Sequence, residues 1–259
     1  MFVAPAVAGE RVVVGSCSGR VLALGAGDGE LAWSFDTAAD GARAQFHGEA
    51  VVDGELLLIG ADGRPAAFVY ALELATGRVR WKQAFPGGVP VDLLRHGRAV
   101  LGVSMAGEVF ALDAVTGEPL WRVDDPPPGA RDHRPLDAVL VGDRLVVPSR
   151  TGVVDAYRAT DGERLWRRDL GASLNAAPLA IGDRVWIGGT DGRLRSFSAA
   201  DGAPGPAIES SGLFYGDLVA APGCIVALRA EGAPDGAGGF AGPHVVACFD
   251  PATGAERWR

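Results

Sequence analysis

The stretch ALDAVTGEPLW, residues 111–121, decides the fold of this chain because the chain repeats it. Each copy runs over eleven residues, from a small residue through an Asp-Gly or Thr-Gly turn to a large final residue. That final residue is a tryptophan in five copies and a proline in one: Trp33, Trp81, Trp121, Trp166, Pro206 and Trp258. The turn glycines are separated by 48, 40, 45, 40 and 52 residues: Gly29, Gly77, Gly117, Gly162, Gly202 and Gly254.

Each repeat also contains short apolar segments that follow Gly-containing turns, such as RVVVGS, ELLLIG and RVWIGG. Together with the tryptophan segment they amount to four strands per repeat, and no stretch combines helical periodicity with capping residues. Four-stranded units repeating about every 45 residues are typical of propeller blades. We therefore predict an all-β fold, a β-propeller of about six four-stranded antiparallel blades, either complete or a segment of a larger propeller.

The whole chain is predicted to form a single β-propeller domain over residues 1–259. The predicted blades span approximately 1–36, 45–85, 88–124, 134–170, 174–208 and 214–259.

Composition restricts the partners of the chain. It has 259 residues, 48% of them apolar, and a formal net charge of -8. A negative protein repels nucleic acid and anionic membrane surfaces on average, and no apolar run approaches the ~18 residues of a membrane-inserted helix. The N-terminal segment MFVAPAVAGERVVVG lacks the features of a signal peptide. As written, the chain is expected to be cytoplasmic, or extracytoplasmic if it is excised from a longer exported or membrane-anchored chain.

The three cysteines, Cys17, Cys224 and Cys248, form no CxxC pair. Buried free thiols are the favoured interpretation. Because Cys224 and Cys248 flank a predicted hairpin, a single bridge between them in an oxidising compartment is the alternative.

The eleven-residue phrase resembles the tryptophan-docking repeat of quinoprotein alcohol dehydrogenase-like propellers, also called pyrroloquinoline-quinone-like repeats. In that family the tryptophan lies flat between adjacent blades, and the glycine admits its close approach. The resemblance assigns this structural docking role to Trp33, Trp81, Trp121, Trp166 and Trp258, with Gly29, Gly77, Gly117, Gly162 and Gly254 as the glycines. It makes Ala23, Ala71, Ala111, Ala156 and Cys248 the small partners. Pro206 supplies no indole, so we expect local opening first between the fifth blade and its neighbour.

The resemblance does not extend to catalysis. Quinone-dependent dehydrogenases of this superfamily are larger chains with adjacent cysteines, a bound calcium and a catalytic aspartate, whereas this chain has no Cys-Cys pair. It also lacks HExxH, GxSxG and P-loop motifs. We therefore predict no catalytic residues, no enzyme activity and no cofactor, and pyrroloquinoline quinone in particular is not expected.

Three long loops, 36–47, 124–134 and 230–244, are expected on one rim of the propeller, where binding usually occurs. Near these loops an acidic residue lies five or six positions before a further turn glycine in four units: Glu49 before Gly54, Asp92 before Gly97, Asp137 before Gly142 and Asp217 before Gly223. The channel mouth that these four residues surround is the predicted binding site, with His47, His133, Asn175 and Tyr215 nearby. Closely spaced carboxylates recruit a divalent cation such as calcium or a basic partner segment. Alternatively, they are solvated acids paired with Arg43, Arg131 and Arg134.

The leading functional prediction is a non-catalytic scaffold or sensor domain that presents its loop-rich face to a protein or peptide partner. In the resembled family, single-domain members scaffold envelope assembly machinery, and related repeats form sensor domains of bacterial protein kinases. The alternatives are small-molecule or divalent-metal-dependent binding or enzymatic activity at the acidic channel mouth, and a fragment without a function of its own.

Overall fold

The computed structural model describes residues 4–130, 135–210, 212–232 and 242–259. Within these ranges every helix-or-strand element is a β-strand, so the predicted all-β fold class is confirmed. Consequently this part of the chain offers no helix of the length and apolar character needed to cross a membrane.

The first three sheets are antiparallel and follow the order of the repeats. Their strands are β1 (Ala6–Ala8), β2 (Arg11–Gly15), β3 (Arg20–Gly25), β4 (Leu31–Asp36), β5 (Gln45–Phe46), β6 (Val51–Asp53), β7 (Leu56–Glu73), β8 (Val79–Gly88), β9 (Leu94–His96), β10 (Ala99–Val103), β11 (Val109–Asp113) and β12 (Pro119–Val123). Strands β1 to β4 form the first sheet in chain order, and β9 to β12 form the third. In the second sheet β7 is the central strand, because β5, β6 and β8 all pair with it.

Three further sheets follow along the chain. Their strands are β13 (Val139–Val141), β14 (Arg144–Pro148), β15 (Val153–Arg158), β16 (Arg164–Asp169), β17 (Ala176–Ala177), β18 (Leu179–Ile181), β19 (Arg184–Gly188), β20 (Arg193–Ser198), β21 (Pro204–Glu209), β22 (Gly212–Ala221), β23 (Cys224–Glu231), β24 (His244–Phe249) and β25 (Glu256–Trp258). Strands β13 to β16 form the fourth sheet, β18 to β21 the fifth, and β22 to β25 the sixth. The sixth sheet gains β17, which pairs in parallel with β22.

The repeated phrase forms the hairpin that ends a sheet. In the third sheet Ala111 pairs with Trp121, and the register shifts directly after Ala111. The Gly117 N–H donates to the Asp113 carbonyl oxygen at 2.8 Å, which closes the turn. The same pairing of a small residue with the final tryptophan occurs in the other tryptophan copies: Ala23 with Trp33, Ala71 with Trp81, Ala156 with Trp166, and Cys248 with Trp258.

The chain divides into two compact units. The first comprises Met1–Pro126, Ala130–Pro135 and Ala159–Gly162, and the second comprises Pro127–Gly129, Leu136–Arg158 and Glu163–Arg259. The first unit has a core cluster around fully buried Phe46 and Tyr70. The second has one cluster that includes Val146 and another that includes Phe214. The single domain and the blade limits given above stay predictions.

The favoured interpretation of the cysteines was wrong for two of the three. Cys224 and Cys248 form a disulfide, with their Cα atoms 5.8 Å apart. The sheet register brings them together, because Cys248 pairs with Val226, two residues beyond Cys224 on the same side of β23. Cys17 is a free thiol of intermediate burial.

Candidate functional site

Four of the repeated tryptophans join one sheet to the next along the chain. Each indole Nε1–H donates to the backbone carbonyl oxygen of the residue three positions before the next turn glycine. The four hydrogen bonds are Trp33 to Leu74 (2.9 Å), Trp81 to Ala114 (3.1 Å), Trp121 to Ala159 (3.0 Å) and Trp166 to Ala199 (3.0 Å). A buried indole removes a large apolar area from water and requires a partner for its N–H, and this geometry satisfies both requirements.

The turn glycines form the seats for these indoles. We define a glycine seat as a turn glycine together with the carbonyl three residues before it. A Cβ on Gly162 would lie 2.7 Å from the Trp121 ring, and a Cβ on Gly202 would lie 2.8 Å from the Trp166 ring. Gly77 and Gly117 meet Trp33 and Trp81 in the same way. All four glycines have positive φ, between 69° and 76°, so they are needed both for the turn and for the close contact.

Carboxylates strengthen two of these turns. Asp113 Oδ1 accepts the N–H groups of Val115 and Thr116, both at 2.9 Å, and Arg98 pairs with Asp113 Oδ2. The Thr116 N–H, with Arg98 and Val115, holds the pKa of the Asp113 carboxyl below its ordinary value, although burial opposes the shift. Asp250 occupies the same place in the last copy, where Arg257 and the turn N–H groups lower its pKa to about 2.

Two glycine seats contain no tryptophan. A Cβ on Gly29 would have no described atom within 4 Å, although Gly29 has the φ of the filled seats, 72°. A Cβ on Gly254 would face the Ala207 carbonyl oxygen at 3.5 Å and Ile208 at 3.7 Å, beside the repeat that carries Pro206. Trp258 itself is 51% exposed. The docking role of Trp258, Gly29 and Gly254 therefore stays a prediction.

The fifth repeat has Pro206 at the docking position and carries its single tryptophan, Trp186, on another strand. Trp186 on β19 is 2% exposed and belongs to a core cluster with Ile208 on β21 and Phe249 on β24. This cluster connects the fifth sheet to the sixth. Each earlier pair of consecutive sheets is connected by a docked tryptophan instead.

Three of the predicted site residues are brought together in the first unit. Asp92 Oδ1 accepts the backbone N–H of Glu49 at 2.6 Å. His47 Nδ1 lies 2.6 Å from Asp62 Oδ1, and both side chains are largely buried. The carboxylates of Asp92 and Asp62 thus hold the segment 47–49 in place.

A second group of predicted residues lies in the other unit. Asn175 precedes β17, its carbonyl oxygen accepts the Gly216 N–H at 3.2 Å, and its side-chain oxygen accepts a bond from Arg150. Asp217 is exposed on β22, opposite Ala177. The Tyr215 hydroxyl lies 2.7 Å from His244 Nδ1.

Asp137 and His133 are the two remaining predicted residues. Asp137 is partly buried just before β13. His133, together with Arg131 and Arg134, lies outside the described residues, as does most of the loop 230–244. In the described part of the chain, no three His, Cys, Asp or Glu residues lie close enough to hold a metal ion. Calcium at the channel mouth therefore stays a prediction.

The first long loop is an ordered structure. Thr37 Oγ1 donates to the Ala44 carbonyl oxygen at 3.0 Å, across the loop. Asp40 Oδ2 accepts from Lys82 Nζ at 2.7 Å and from the Tyr70 hydroxyl at 3.1 Å. Burial, followed by the Asp40 carboxylate, raises the pKa of Tyr70, so its hydroxyl keeps its proton and donates.

The end of this loop has two different sides. Ala42, Ala44 and Phe46 are buried, whereas Arg43 and Gln45 are exposed. An extended segment places alternate side chains on opposite sides, so the buried residues fix the direction of the exposed ones.

A groove of about 760 Å³ is a further surface of the first unit. Its lining combines carboxylates with aliphatic side chains and includes Glu10, Glu55, Leu56, Glu73, Leu74 and Val115. Arg80 pairs with Glu73 at its edge, at 3.6 Å.

Several residues of the site were not predicted from the sequence. Asp40, Asp62, Tyr70 and Lys82 fix the loop 36–47 and the segment that follows it, although no motif marks them. Their pairings join residues 15 to 42 positions apart and depend on how β7 and β8 lie beside the loop. In the sequence, only the length of the loop 36–47 pointed to this part of the site.

Solved structures show the same fold. BamB from Moraxella catarrhalis superposes with a TM-score of 0.74 at 19% identity, covering 99% of this chain and 71% of that one. Together with the six described sheets, each built from at least four strands of which the consecutive ones pair mainly antiparallel, this similarity confirms the β-propeller fold class.

Sequence comparison finds relatives with a common name. The outer membrane protein assembly factor BamB of Alkalilimnicola ehrlichii is 31% identical over 198 residues, 73% of this chain and 49% of that protein. The factor of the same name from Bordetella pertussis is 27% identical over 213 residues, 76% of this chain and 52% of that protein. The chain spans about half the length of these relatives.

The family model described as outer membrane protein assembly factor BamB matches residues 1–86 and 105–204, most of the chain. The predicted pyrroloquinoline-quinone-like repeats are thereby confirmed, and the chain belongs to the outer membrane protein assembly factor BamB family.

Proposed function

We propose that this protein is a non-catalytic scaffold that binds a protein or peptide partner through its loops. The observation that carries the proposal is the ordered loop 36–47, whose buried residues hold Arg43 and Gln45 outward. Loops on a rigid scaffold are the usual place for binding residues. The docked tryptophans supply that rigidity, and the proposal requires neither a cofactor nor nucleic acid.

The family supports a particular class of partner. Its members are named outer membrane protein assembly factors. We infer that this chain binds a protein that takes part in outer membrane protein assembly. The exposed cation of Arg43 beside the amide of Gln45 suits a partner segment with carboxylates and backbone carbonyls.

We further propose that the protein acts outside the cytoplasm. The Cys224–Cys248 disulfide supports this location, because disulfides persist in oxidising compartments and are rare in the cytosol. Non-reducing peptide mapping of the protein from its native host is expected to recover the peptides that contain these two cysteines as a linked pair. Recovery of both as free thiols would contradict the proposed location.

Site-specific photocrosslinking in the native bacterium tests the scaffold function. A photoreactive amino acid is placed at Arg43 or at Gln45, and the crosslinked partner is identified by mass spectrometry. Glu118, an exposed residue in the turn between β11 and β12, is the matched control position. We expect crosslinks to an outer membrane assembly protein from both loop positions and none from the control.

Two further variants separate the ordered loop from its charge. Asp40→Asn weakens the ion pair with Lys82 that holds the loop, and Arg43→Gln removes only the exposed cation. Both are expected to reduce crosslinking from Gln45 severalfold. Crosslinking that is equal at all three positions, or absent from both loop positions, would contradict the proposal.

A further inference from the structure

The groove of about 760 Å³ in the first unit lies where turns of three sheets meet. Glu10 belongs to the turn between β1 and β2, Glu55 to the turn between β6 and β7, and Val115 to the turn between β11 and β12. In an antiparallel sheet, the turn between the first two strands lies at the opposite end from the connection that follows the fourth strand. The groove is therefore at the other end of the first two sheets from the loop 36–47.

Docked tryptophans hold the walls of this groove in place. Leu74 lines the groove, and its carbonyl oxygen accepts the indole N–H of Trp33 at 2.9 Å. Val115 also lines it, and the carbonyl oxygen of the preceding residue, Ala114, accepts the indole N–H of Trp81 at 3.1 Å. A ligand thus meets a surface that is already formed, and such preorganisation lowers the entropic cost of binding.

The lining contains charged groups that the described chain leaves unpaired. Its carboxylates belong to Glu10, Asp53, Glu55 and Glu73, and its guanidinium groups to Arg11 and Arg80. Asp53 is paired with Arg95 at 2.6 Å, and Glu73 is paired with Arg80 at 3.6 Å. The side chains of Glu10, Glu55 and Arg11 have no partner among the described residues. Two anions and one cation therefore remain for groups of a ligand.

Aliphatic side chains line the same groove. Val115 is 62% exposed, and Leu56 and Leu74 are partly exposed. Covering them with an apolar group is favourable, because it removes apolar area from water. A ligand that carries only charges leaves this part of the groove in water.

We propose that the groove binds a basic peptide segment in which an aliphatic residue lies between two lysine or arginine residues. The aliphatic side chain packs on Val115 and the two leucines, and the cations pair with Glu10 and Glu55. Peptide carbonyl oxygens accept from Arg11, whose guanidinium group can only donate. A polyamine has no such acceptor, and the acidic lining repels nucleic acid and anionic membranes. The proposal goes beyond the scaffold function and does not depend on the partner of the loop 36–47.

Fluorescence anisotropy with labelled synthetic peptides tests the proposal. The probes are acetylated peptides in which a leucine lies between two lysines at several spacings, with glycine and serine elsewhere. We expect saturable binding to the wild-type protein that weakens as salt is raised, because exposed charges are screened. Replacing the leucine with serine, or both lysines with glutamate, is expected to abolish binding. Spermidine, which carries cations without a carbonyl group or an aliphatic side chain, is expected to compete poorly.

Variants of the chain assign the contacts. Glu10→Gln and Glu55→Gln are each expected to weaken binding about threefold, and the double variant about tenfold. Val115→Ser removes an apolar contact, so it is expected to weaken binding severalfold without changing the salt dependence. Glu30→Gln, which removes an exposed carboxylate outside the groove, is the matched control and is expected to bind like the wild type.

The outcomes separate this proposal from the scaffold function. Circular dichroism checks that each variant is folded, and all four changes lie at exposed positions between strands. Wild-type protein that binds no peptide of the panel, a folded double variant that binds as tightly as the wild type, or displacement by spermidine as effective as by unlabelled peptide would overturn the proposal. Arg43→Gln is expected to leave peptide binding unchanged, and the double variant is expected to leave crosslinking from Gln45 unchanged.

Discussion

A single glycine in each repeat controls how closely two sheets approach. Gly117 and Gly29 have nearly the same φ, 76° and 72°, but only Gly117 lies under an indole. Their comparison therefore separates the cost of backbone strain from the cost of a blocked seat.

We predict that Gly117→Ala destabilises the protein more than Gly29→Ala does. Left-handed strain costs about 1–2 kcal/mol in both variants. Only at Gly117 does the added Cβ also clash with Trp81, which adds about 1–3 kcal/mol. Denaturant unfolding of dilute protein measures the difference, and equal losses in the two variants would show that the seat is not tightly packed.

The carboxylate of Asp113 gives one turn a pH-dependent stability. Its folded-state pKa is lowered, so its contribution is fully present above the unfolded value of about 3.9 and is lost as pH falls through the folded pKa. We predict that Asp113→Asn costs about 1–2 kcal/mol near neutral pH. The deficit should shrink steadily below pH ~4. Urea unfolding at several pH values measures it, and a deficit independent of pH would exclude the carboxylate as its cause.

The tryptophan hairpin is the element that the sequence predicts best. The eleven-residue spacing determines that Ala111 pairs with Trp121 across one hairpin, because both residues and the turn lie within a single local segment. The direction of docking, from one sheet to the glycine of the next, depends on packing between sheets and is not encoded in the spacing. The Tyr70–Asp40–Lys82 contacts also depend on packing between distant segments, so the sequence did not reveal them. Such packing likewise decides that residues 176–181 pair with two different sheets.

We expect strand β21 to be the element with the weakest attachment to the following sheet. It carries Pro206 in place of an indole, and the seat glycine Gly254 faces Ile208 at 3.7 Å instead. We predict that amides of β21 exchange with solvent faster than those of β16, which carries the docked Trp166. Hydrogen exchange with mass spectrometry compares the two strands. Equal protection would mean that Trp186 and Ile208 replace the missing indole completely.

At the scale of the whole molecule, the docking of a tryptophan in a glycine seat recurs along the chain, and the tryptophan of the sixth sheet is exposed. Indoles of four sheets are hydrogen-bonded in glycine seats, and the indole of the sixth sheet is half exposed. The sheets so fastened provide the fixed support from which the loop 36–47 projects. The proposed scaffold function therefore depends on docking that is intact in solution.

Exchange of the indole N–H protons with solvent tests this claim most directly. Nuclear magnetic resonance of protein labelled with ¹⁵N-tryptophan resolves each indole, and single Trp→Phe variants assign the signals. In dilute protein we predict slow exchange for Trp33, Trp81, Trp121 and Trp166 and fast exchange for Trp258. Fast exchange of the four docked indoles would contradict the account.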